Sequence, residues 1–370
     1  MVLFEVFFYS FIVIVGIQVI FYGFIFGKFA VIKQKKVSND NEPISVIICA
    51  KNEAENLKEN LPFIVSQSYP TFEIVLINDS SSDDTLKVME AFKKVNDTIK
   101  IVYVEPVEKF WGNKKYALTL GIKAAKYNTL LFTDADCKPL SKHWISEMSA
   151  RFDSEKALVL GYGPYQKTKG SLLNLLIRFE TFMTAVQYFS YTTIGLPYMG
   201  VGRNLAYRKG LFFEANGFVS HMDIKSGDDD LFVNQIATPK NTTICISKSS
   251  FTESIPKKTL RSWCLQKRRH ISTASHYKLK HKTLLALFYC SQFLFWTLAI
   301  VLLIMPYQWQ LVLGLVVLRF IVQYATLYSA SKKLEEKNLI IYTPILELLL
   351  IIIQFFIFMQ NLSSKPKHWK

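Results

Sequence analysis

Cysteine is scarce in this chain of 370 residues, and no two cysteines form a Cys-x-x-Cys pair. Their total is odd and their spacing is irregular, which argues against a disulfide framework and against a zinc site. We therefore predict reduced thiols in a cytosolic compartment. The five cysteines are Cys49, Cys137, Cys245, Cys264 and Cys290.

The chain also lacks the glycine-rich loops that hold phosphates in many nucleotide-binding proteins. Neither Gly-x-Gly-x-x-Gly nor a Walker A segment is present, which argues against a dinucleotide site and an ATP-hydrolysing site. Acidic residues are outnumbered by basic ones, 29 against 44, so the formal net charge is +15. Such a chain can bind nucleic acid, anionic lipid or phosphorylated ligands. The position of the basic residues beside apolar runs favours the last two.

Apolar residues make up 50% of the chain, and the first long apolar run lies at the N-terminus. Between Leu3 and Ile32 the only charged residues are Glu5 and Lys28, and the run exceeds the ~20 residues that cross a bilayer. No basic segment precedes it and it contains no small-residue cleavage site, so residues 1–32 are predicted to be a retained transmembrane anchor. The positive-inside rule then predicts an external N-terminus and a cytoplasmic domain after the lysines that close the run. These are Lys28, Lys33, Lys35 and Lys36.

Three more apolar runs, each near spanning length, predict transmembrane or interfacial helices over residues 283–362. We therefore expect an integral protein of a bacterial-type plasma membrane. If all three runs span, the lysine-containing tail Ser363–Lys370 lies outside, against the positive-inside tendency. Alternatively, one run is re-entrant or lies in the interface. The runs are Thr283–Met305, Gln308–Ala330 and Leu339–Asn361.

Another apolar and aromatic segment, Leu172–Leu196, is interrupted by Arg178 and Glu180. This composition fits an amphipathic helix on the membrane surface. It fits a helix of the domain core about equally well, and the sequence leaves both interpretations open.

Short β-branched runs alternate with segments of helical spacing in the middle of the chain. This alternation predicts βαβ units and a mostly parallel sheet, so residues 42–276 are expected to form an α/β domain. Ligands bind such sheets at the carboxyl ends of the strands, where the polar clusters of this sequence lie. The predicted strands are Ile44–Cys49, Glu73–Ile77, Lys100–Val104 and Thr129–Thr133, and the predicted helices are Glu53–Ser66, Asp83–Val95 and Lys114–Lys126.

Two carboxylates, Asp134 and Asp136, directly follow the fourth predicted strand. Residues two apart in an extended backbone point to the same side, so both can bind one hard divalent cation that neutralises a diphosphate. The alternative is a solvated turn or a helix cap. We favour the metal site because the pair follows a strongly apolar strand in a βαβ region.

Three successive carboxylates, Asp228, Asp229 and Asp230, precede an apolar stretch. Crowded carboxylates repel one another, which raises the pKa of at least one of them, and such a group suits a general base that deprotonates a hydroxyl acceptor. The alternative is a helix start that favours acidic residues. The two interpretations are compatible.

A basic stretch, Lys257–Lys282, contains the segment Gln266–His270 (QKRRH). Arginine can bind phosphate oxygens through two parallel hydrogen bonds. Because the stretch adjoins a predicted membrane segment, attraction to anionic lipid is the alternative. That position is poorly suited to nucleic acid, which we do not expect as a partner.

The order of these motifs resembles that of the inverting family 2 glycosyltransferases with a GT-A fold. The resemblance is strongest to the integral-membrane enzymes related to ceramide glucosyltransferases and processive polysaccharide synthases. It covers about Pro43–His276, a domain that is flanked by transmembrane helices in those enzymes too. The segments that carry it are Ser45–Glu53 (SVIICAKNE), Ile77–Thr85 (INDSSSDDT), Gly112–Leu118 (GNKKYAL), Asp134–Asp136 (DAD), Gly200–Arg208 (GVGRNLAYR), Asp228–Asp229 (DD) and Gln266–Arg269 (QKRR).

The resemblance implies a Rossmann-like site for a nucleotide sugar, most commonly a uridine diphosphate sugar. Glu53 and Asp79 would contact the nucleoside of this donor. Asp136, helped by Asp134, would bind Mg²⁺ or Mn²⁺ next to the diphosphate.

The family's G-K-x-x-A-L segment implies a donor-binding lysine. Its spacing to the Ala-Leu pair assigns Lys114, although the inserted Asn113 leaves Lys115 as an alternative. The segment Gly200–Arg208 is similar to the loop that lies under the donor and acceptor sugars, which implies a substrate contact for Arg203.

The late motifs imply the catalytic groups. Asp229 would be the catalytic base and Asp228 its acidic neighbour, while Gln266 and Arg269 match the family's Q-x-x-R-W. His270 stands where the family usually has tryptophan, a position that commonly contacts the acceptor.

These correspondences imply an inverting transferase that moves a sugar to a hydroxyl of a lipid or lipid-linked glycan at the cytoplasmic membrane face. One alternative is a nucleotidyltransferase, which has a related α/β core and acidic metal ligands. Another is a non-catalytic membrane scaffold of a polysaccharide assembly complex. The presence of Asp136, Asp229 and Arg269 argues against the scaffold.

Overall fold

The computed structural model describes residues 2–33, 41–105, 114–224 and 226–363. Within these ranges a seven-stranded sheet and a two-stranded sheet pack against helices, which confirms the predicted α/β class. The strands are β1 Ile44–Ala50, β2 Phe72–Asp79, β3 Ile99–Val104, β4 Thr129–Phe132, β5 Cys137–Pro139, β6 Leu158–Leu160, β7 Leu205–Arg208, β8 Thr242–Ile244 and β9 Thr252–Ser254.

Helices precede, connect and follow these strands. The N-terminal helix is α1 Val2–Val19, continued by π-helical turns at Ile20–Phe26 and by α2 Gly27–Val31. The domain contains α3 Ala54–Val65, α4 Thr85–Lys94, α5 Lys114–Ala124, α6 Trp144–Ser149, α7 Leu172–Thr193, α8 Lys209–Glu214, α9 Asp230–Ile236 and α10 Leu260–Thr273. The C-terminal helices are α11 Leu279–Ile304, α12 Trp309–Lys333 and α13 Thr343–Ser363.

The large sheet has the strand order β3-β2-β1-β4-β7-β6-β8. Strands β1 to β4 are parallel, whereas β7 runs antiparallel to both β4 and β6. The prediction of a mostly parallel sheet is confirmed. Because β7 is reversed and Phe132 pairs with Leu205, the segment that leaves β4 and the segment that enters β7 meet at one edge of the sheet.

The central strand β1 is buried on both faces, as is typical of a parallel sheet covered by helices. Its alternating residues serve two different cores. Val46 and Ile48 pack with Leu61 and other residues on one face, while Ile47 packs with Leu118 on the opposite face. This double burial fixes the strand whose carboxyl end leads to Glu53.

The segment that the sequence left open, α7, is a helix of the core. It packs against α2, α13 and β8, and most of its side chains are buried. Its two charged residues are paired: Arg178 forms a buried ion pair with Glu336 and donates to Asn338 Oδ1 (2.8 Å), and Glu180 pairs with Lys267. The interruptions that suggested an amphipathic surface helix are therefore internal ion pairs.

Four helical segments in the described part of the chain are long and apolar enough to cross a membrane. They overlap the four apolar runs predicted from the sequence, with ends that differ by a few residues. Lys35 and Lys36, which supported the predicted orientation, and residues 364–370 of the tail lie outside the described residues. The segments are Val2–Val31, Leu279–Ile304, Trp309–Lys333 and Lys337–Ser363.

A buried polar cluster lies among these helices. Arg319 on α12 forms an ion pair with Glu347 on α13 and also donates to Gln323 Oε1 (2.6 Å) and to Gln18 Oε1 (3.0 Å). Glu347 additionally accepts from Gln292 on α11 (2.8 Å). The cluster thereby links all four apolar segments through hydrogen bonds that satisfy both charges, as membrane helices require of buried ionisable groups.

Candidate active site

The predicted site residues converge on one edge of the large sheet, at the carboxyl ends of β1, β2 and β4. The reversed strand β7 brings the loop before it to the same edge. A cavity lies there, and its lining includes Cys49, Lys114, Asp134, Gly202, Asp228 and Asp229.

Lys114 links two of the acidic motifs. Its Nζ lies 2.8 Å from Asp134 Oδ1 and 3.1 Å from Asp228 Oδ2. Burial lowers the pKa of Lys114, but the two carboxylates outweigh burial and raise that pKa, so the lysine stays charged. For the acid Asp134 the signs are reversed: burial alone would raise its pKa, but the Lys114 cation outweighs burial and lowers it. The ion pairs hold the start of α5, the end of β4 and the segment before α9 together.

The neighbouring Lys115 points elsewhere. Its Nζ donates to the carbonyl oxygens of His221 (2.6 Å) and Ile224 (2.8 Å), and burial lowers its pKa to about 8. Of the two lysines that the sequence left open, Lys114 is therefore the one at the cavity. Gly112 and Asn113 of the same motif lie outside the described residues.

Asp134 and Asp136 are brought together by a turn. The prediction that they share an extended backbone is wrong: β4 ends at Phe132, and the N–H of Cys137 donates to the carbonyl oxygen of Asp134 (3.1 Å). Ligand atoms of Asp134, Asp136 and Cys137 nevertheless lie within 4.8 Å of one another. Carboxylate oxygens suit Mg²⁺ or Mn²⁺. Burial raises the pKa of the Cys137 thiol, which keeps it protonated and makes it a poor ligand.

Asp229 is both the N-cap of α9 and a group with a perturbed pKa. Its Oδ1 accepts from the N–H of Asp230 (2.7 Å), and its Oδ2 accepts from the N–H of Gly202 (2.6 Å). Burial, followed by the negative charges of Asp228 and Asp230, raises its pKa to about 7. The helix-start interpretation therefore holds, and it is compatible with a base.

The residues predicted to contact the nucleoside lie in the loops after β1 and β2. Asp79 is buried at the end of β2, where burial raises its pKa and Lys51, with Nζ 3.9 Å from Oδ2, lowers it. Glu53 precedes α3, and its backbone N–H donates to Thr85 Oγ1 (2.8 Å) at the start of α4. This bond ties the loop after β1 to the loop after β2.

Arg203 and Gln266 meet at Tyr165, a residue the sequence did not single out. The Arg203 guanidinium lies 4.3 Å from the centre of the Tyr165 ring and donates from Nη1 to Ser254 Oγ (2.9 Å). Gln266 Nε2 lies 3.5 Å from the Tyr165 hydroxyl. A cationic side chain from the β7 loop and an amide from α10 are thus fixed side by side.

Arg269, one turn after the start of the QKRRH segment, faces the same carboxylates. Burial lowers the pKa of Arg269, and the negative charges of Asp228, Asp134 and Asp229 oppose that change. The positive charge of Arg269 in turn helps to lower the pKa of Asp134. His270, in the position where the resemblance implies tryptophan, is exposed.

Asn204 was missed by the sequence analysis, although it lies in the segment Gly200–Arg208. It is fully buried, accepts from Trp144 Nε1 (3.0 Å), and donates to the carbonyl oxygens of Tyr162 (2.9 Å) and Ser250 (2.6 Å). These bonds hold the loop that carries Arg203. An asparagine next to an apolar strand was the signal, because a buried amide must find several partners.

Comparison with known proteins gives a family match and several partial relatives. Residues 45–212 match the model of glycosyl transferase family 2. The poly-beta-1,6-N-acetyl-D-glucosamine synthase of Staphylococcus epidermidis is 39% identical over 95 residues, which cover 26% of this chain and 22% of that protein. The 4,4'-diaponeurosporenoate glycosyltransferase of Staphylococcus aureus is 27% identical over 159 residues, which cover 42% and 41% of the two chains. This chain therefore spans less than half of either relative.

Among solved structures, the mannosyltransferase PcManGT from Pyrobaculum calidifontis, in complex with GDP-Man and Mn²⁺, has a similar fold. The TM-score is 0.59 at 17% sequence identity, and the match covers 90% of this chain and 98% of that chain. At this identity the likeness concerns the fold alone. Residues 45–212 are therefore similar to a glycosyl transferase family 2 domain, and the fold is that of the GT-A glycosyltransferases.

Proposed function

We propose that this chain is an inverting, metal-dependent glycosyltransferase that uses a nucleoside diphosphate sugar. The observation that carries the proposal is the composition of one cavity: a carboxyl group with a pKa of about 7, Asp229, lies beside the Lys114 cation and the carboxylate of Asp134. A base whose pKa is near neutral and a cation that can face phosphate are the two groups that sugar transfer to a hydroxyl requires.

The donor would bind across the ends of the parallel strands. Asp79 and Glu53 offer hydrogen-bond acceptors for a nucleoside at the ends of β2 and β1, while Lys114, Arg203 and Arg269 provide positive charge for a diphosphate. The resemblance makes a uridine diphosphate sugar the first donor to test.

Asp229 would remove the proton from the acceptor hydroxyl. The acceptor oxygen then forms a bond to the anomeric carbon while the bond to the diphosphate oxygen breaks, and the diphosphate leaves with the electron pair. The N–H groups of Gly202 and Asp230 hold the carboxylate of Asp229 in place throughout. Asp228 supplies a neighbouring charge that favours proton uptake by Asp229.

The donor set at Asp134 and Asp136 fits Mg²⁺ or Mn²⁺, because it offers carboxylate oxygens close together. Such an ion, when bound, supplies positive charge to the diphosphate leaving group. Lys114 holds Asp134 in its ionised form for this purpose.

A lipid or lipid-linked glycan acceptor is supported by the attachment of the site to a membrane-length helix. Helix α10 carries Gln266 and Arg269, and its Arg268 exchanges hydrogen bonds with Asn361 near the end of α13 (3.1 Å in both directions). The exposed side chains of Leu260 and Leu265 on α10 suit contact with a lipid surface. We place the domain at the cytoplasmic face because the first apolar segment is followed by lysines.

The test is release of nucleoside diphosphate by the detergent-purified full chain from uridine, guanosine and thymidine diphosphate sugars. Each donor is tested with Mn²⁺ and with chelator, beside Asp136→Asn, Asp229→Asn and a matched exposed control, Asp97→Asn. We expect release from one donor, its loss with chelator and in both site variants, and no change in the control.

Absence of release from every donor, together with absence of donor binding by calorimetry, would overturn the proposal in favour of the scaffold. Consumption of nucleoside triphosphate in place of the nucleotide sugar would instead indicate a nucleotidyltransferase.

A further inference from the structure

The third carboxylate of the acidic run, Asp230, does not contact the cavity, and its bonds run to the next helix. It is buried, and its Oδ2 accepts from the hydroxyl of Tyr277 (2.6 Å) and from the hydroxyl of Thr273. Its Oδ1 accepts from the N–H of Leu231 (2.8 Å). Both carboxylate oxygens of Asp230 therefore accept hydrogen bonds from other groups of the protein.

These bonds join the two elements that carry the proposed catalytic groups. Asp230 directly follows Asp229, and Thr273 lies one helical turn after Arg269 on α10. Tyr277 follows α10 and immediately precedes the region where α11 begins. A side chain one residue from the base thus holds the end of the helix that presents Arg269.

A second contact lies one turn further along α9. Together with the bonds of Asp230 it forms a seam, the set of hydrogen bonds between α9 and the segment from Thr273 to His281. Asn234 Oδ1 accepts from the backbone N–H of Lys278 (3.0 Å), and Asn234 Nδ2 lies 2.9 Å from His281 Nδ1. Residues four apart lie on one face of a helix. The face of α9 that carries Asp230 and Asn234 therefore contacts the end of α10, the connection that follows it and the start of α11.

We propose that Asp230, through Tyr277 and Thr273, is a positioning residue that fixes Asp229 relative to Arg269 and anchors both to the first membrane-length helix after the domain. The inference rests on the proposed function, because it assigns a purpose to the alignment of these two groups. Misplacement of a catalytic group by about 1 Å is enough to reduce a rate strongly. A buried hydrogen bond to a carboxylate is strong and directional, so it is well suited to prevent such misplacement.

Tyr277 is the better of the two donors to remove. The Thr273 hydroxyl has a single hydrogen and a second acceptor within reach, the carbonyl oxygen of His270 (2.6 Å), so its share of the bond to Asp230 is divided. Tyr277→Phe deletes one hydroxyl and keeps the buried ring, and Asp230 retains its bonds to Thr273 and Leu231.

Tyr191→Phe is the matched control. Tyr191 is also a buried tyrosine, and its hydroxyl has no hydrogen-bond partner in the part of the chain that the structure describes. Steady-state transfer and donor affinity are measured for both variants. We expect Tyr277→Phe to lower kcat about tenfold while the donor Kd stays within about twofold, because the nucleoside contacts lie on other elements. Tyr191→Phe should leave both constants unchanged.

Double variants distinguish positioning from general destabilisation. In an Arg269→Lys background, Tyr277→Phe should reduce kcat further by less than about twofold, because groups that act as one unit are not additive. Equal losses in the two tyrosine variants, or a full tenfold further loss beside Arg269→Lys, would overturn the inference.

Hydrogen exchange tests the same seam without any activity. Tyr277→Phe should accelerate exchange of backbone amides in the second half of α10 and in residues 228–231, and Tyr191→Phe should not. Unchanged exchange would refute the seam. Absence of turnover in the unmodified chain would refute only the proposed function, because the exchange experiment does not depend on it.

Discussion

Replacement of Asp228 by asparagine tests whether Asp229 is a base whose pKa is set by its acidic neighbours. Burial and then the charge of Asp228 are the largest causes of the raised pKa of Asp229. The substitution keeps the size of the side chain and removes the charge, so the pKa of Asp229 should fall. Lys114 keeps its second partner, Asp134, at 2.8 Å, which limits the disturbance of the cavity.

The magnitude follows from the ionised fraction of the base. With a pKa of about 7, about one tenth of the Asp229 carboxyls are ionised at pH 6 and about nine tenths at pH 8. A base acts in its ionised form, so the transfer rate should rise about tenfold between these pH values and then level off. If loss of the neighbouring charge lowers the pKa by about one unit, about half of the groups are ionised at pH 6, and the rate there should reach about half of its plateau.

The assay is kcat for nucleoside diphosphate release, measured from pH 5.5 to 8.5 at saturating donor and Mn²⁺. The informative quantity is the midpoint of the profile and not its plateau, because Asp228→Asn also removes one partner of Lys114. Asp97→Asn, a change of the same kind on the exposed surface, should leave the midpoint unchanged. A flat profile of the unmodified chain between pH 6 and 8, or an unmoved midpoint in Asp228→Asn, would refute the reasoning.

Three further predictions concern other parts of the molecule. Asp136→Asn should lower transfer by about 10²–10³ and abolish its dependence on Mn²⁺, which metal titration of the release assay measures. Glu336→Gln leaves Arg178 buried without its carboxylate and should destabilise the fold by about 3–5 kcal/mol. Thermal unfolding in detergent should show a lower Tm for this variant and a recovered Tm for Arg178→Met/Glu336→Leu. An unchanged Tm in Glu336→Gln would contradict the prediction. Gly227→Ala adds a Cβ 2.4 Å from Leu231 Cδ1 at a φ of +94° and should cost about 1–3 kcal/mol. Because the strain lies next to the acidic run, kcat for transfer should fall by more than the loss of folded protein, judged from Tm, explains. An unchanged kcat would contradict this prediction.

The local pattern of the sequence was sufficient for the four parallel strands β1 to β4 and for the edge that carries the site, but it did not reveal the shorter strands β5 to β9. Apolar runs such as Ile44–Cys49 identify buried strands because both faces of a parallel sheet are covered. Polar residues that follow them, such as Asp79 and Asp134, then fall at one edge. The helical runs before and after the domain were equally visible, since their length and composition are unusual for a soluble core.

Features that depend on residues far apart in the chain were not predictable in this way. The charges of α7 look like a polar face until their partner is known, and for Arg178 that partner is Glu336, which lies 158 positions away. The direction of β7 likewise follows from its pairing with β4. Spacing alone could not decide between Lys114 and Lys115, because an inserted residue changes the register and only the fold shows which side chain meets Asp134.

The polar cluster centred on Arg319 and Glu347 has a consequence for biogenesis. An arginine at the centre of a helix opposes entry into a bilayer by about 2.5–3.5 kcal/mol on insertion scales. Helix α12 carries this arginine and α13 carries the carboxylate that neutralises it. In a bilayer, the two helices therefore gain from leaving the translocation machinery as a joined hairpin, with Gln18 and Gln292 already in place on the helices inserted before them. Because synthesis starts at the N-terminus, Gln18 and Gln292 are made before Arg319 and Glu347, and both amides are present when the charged pair forms.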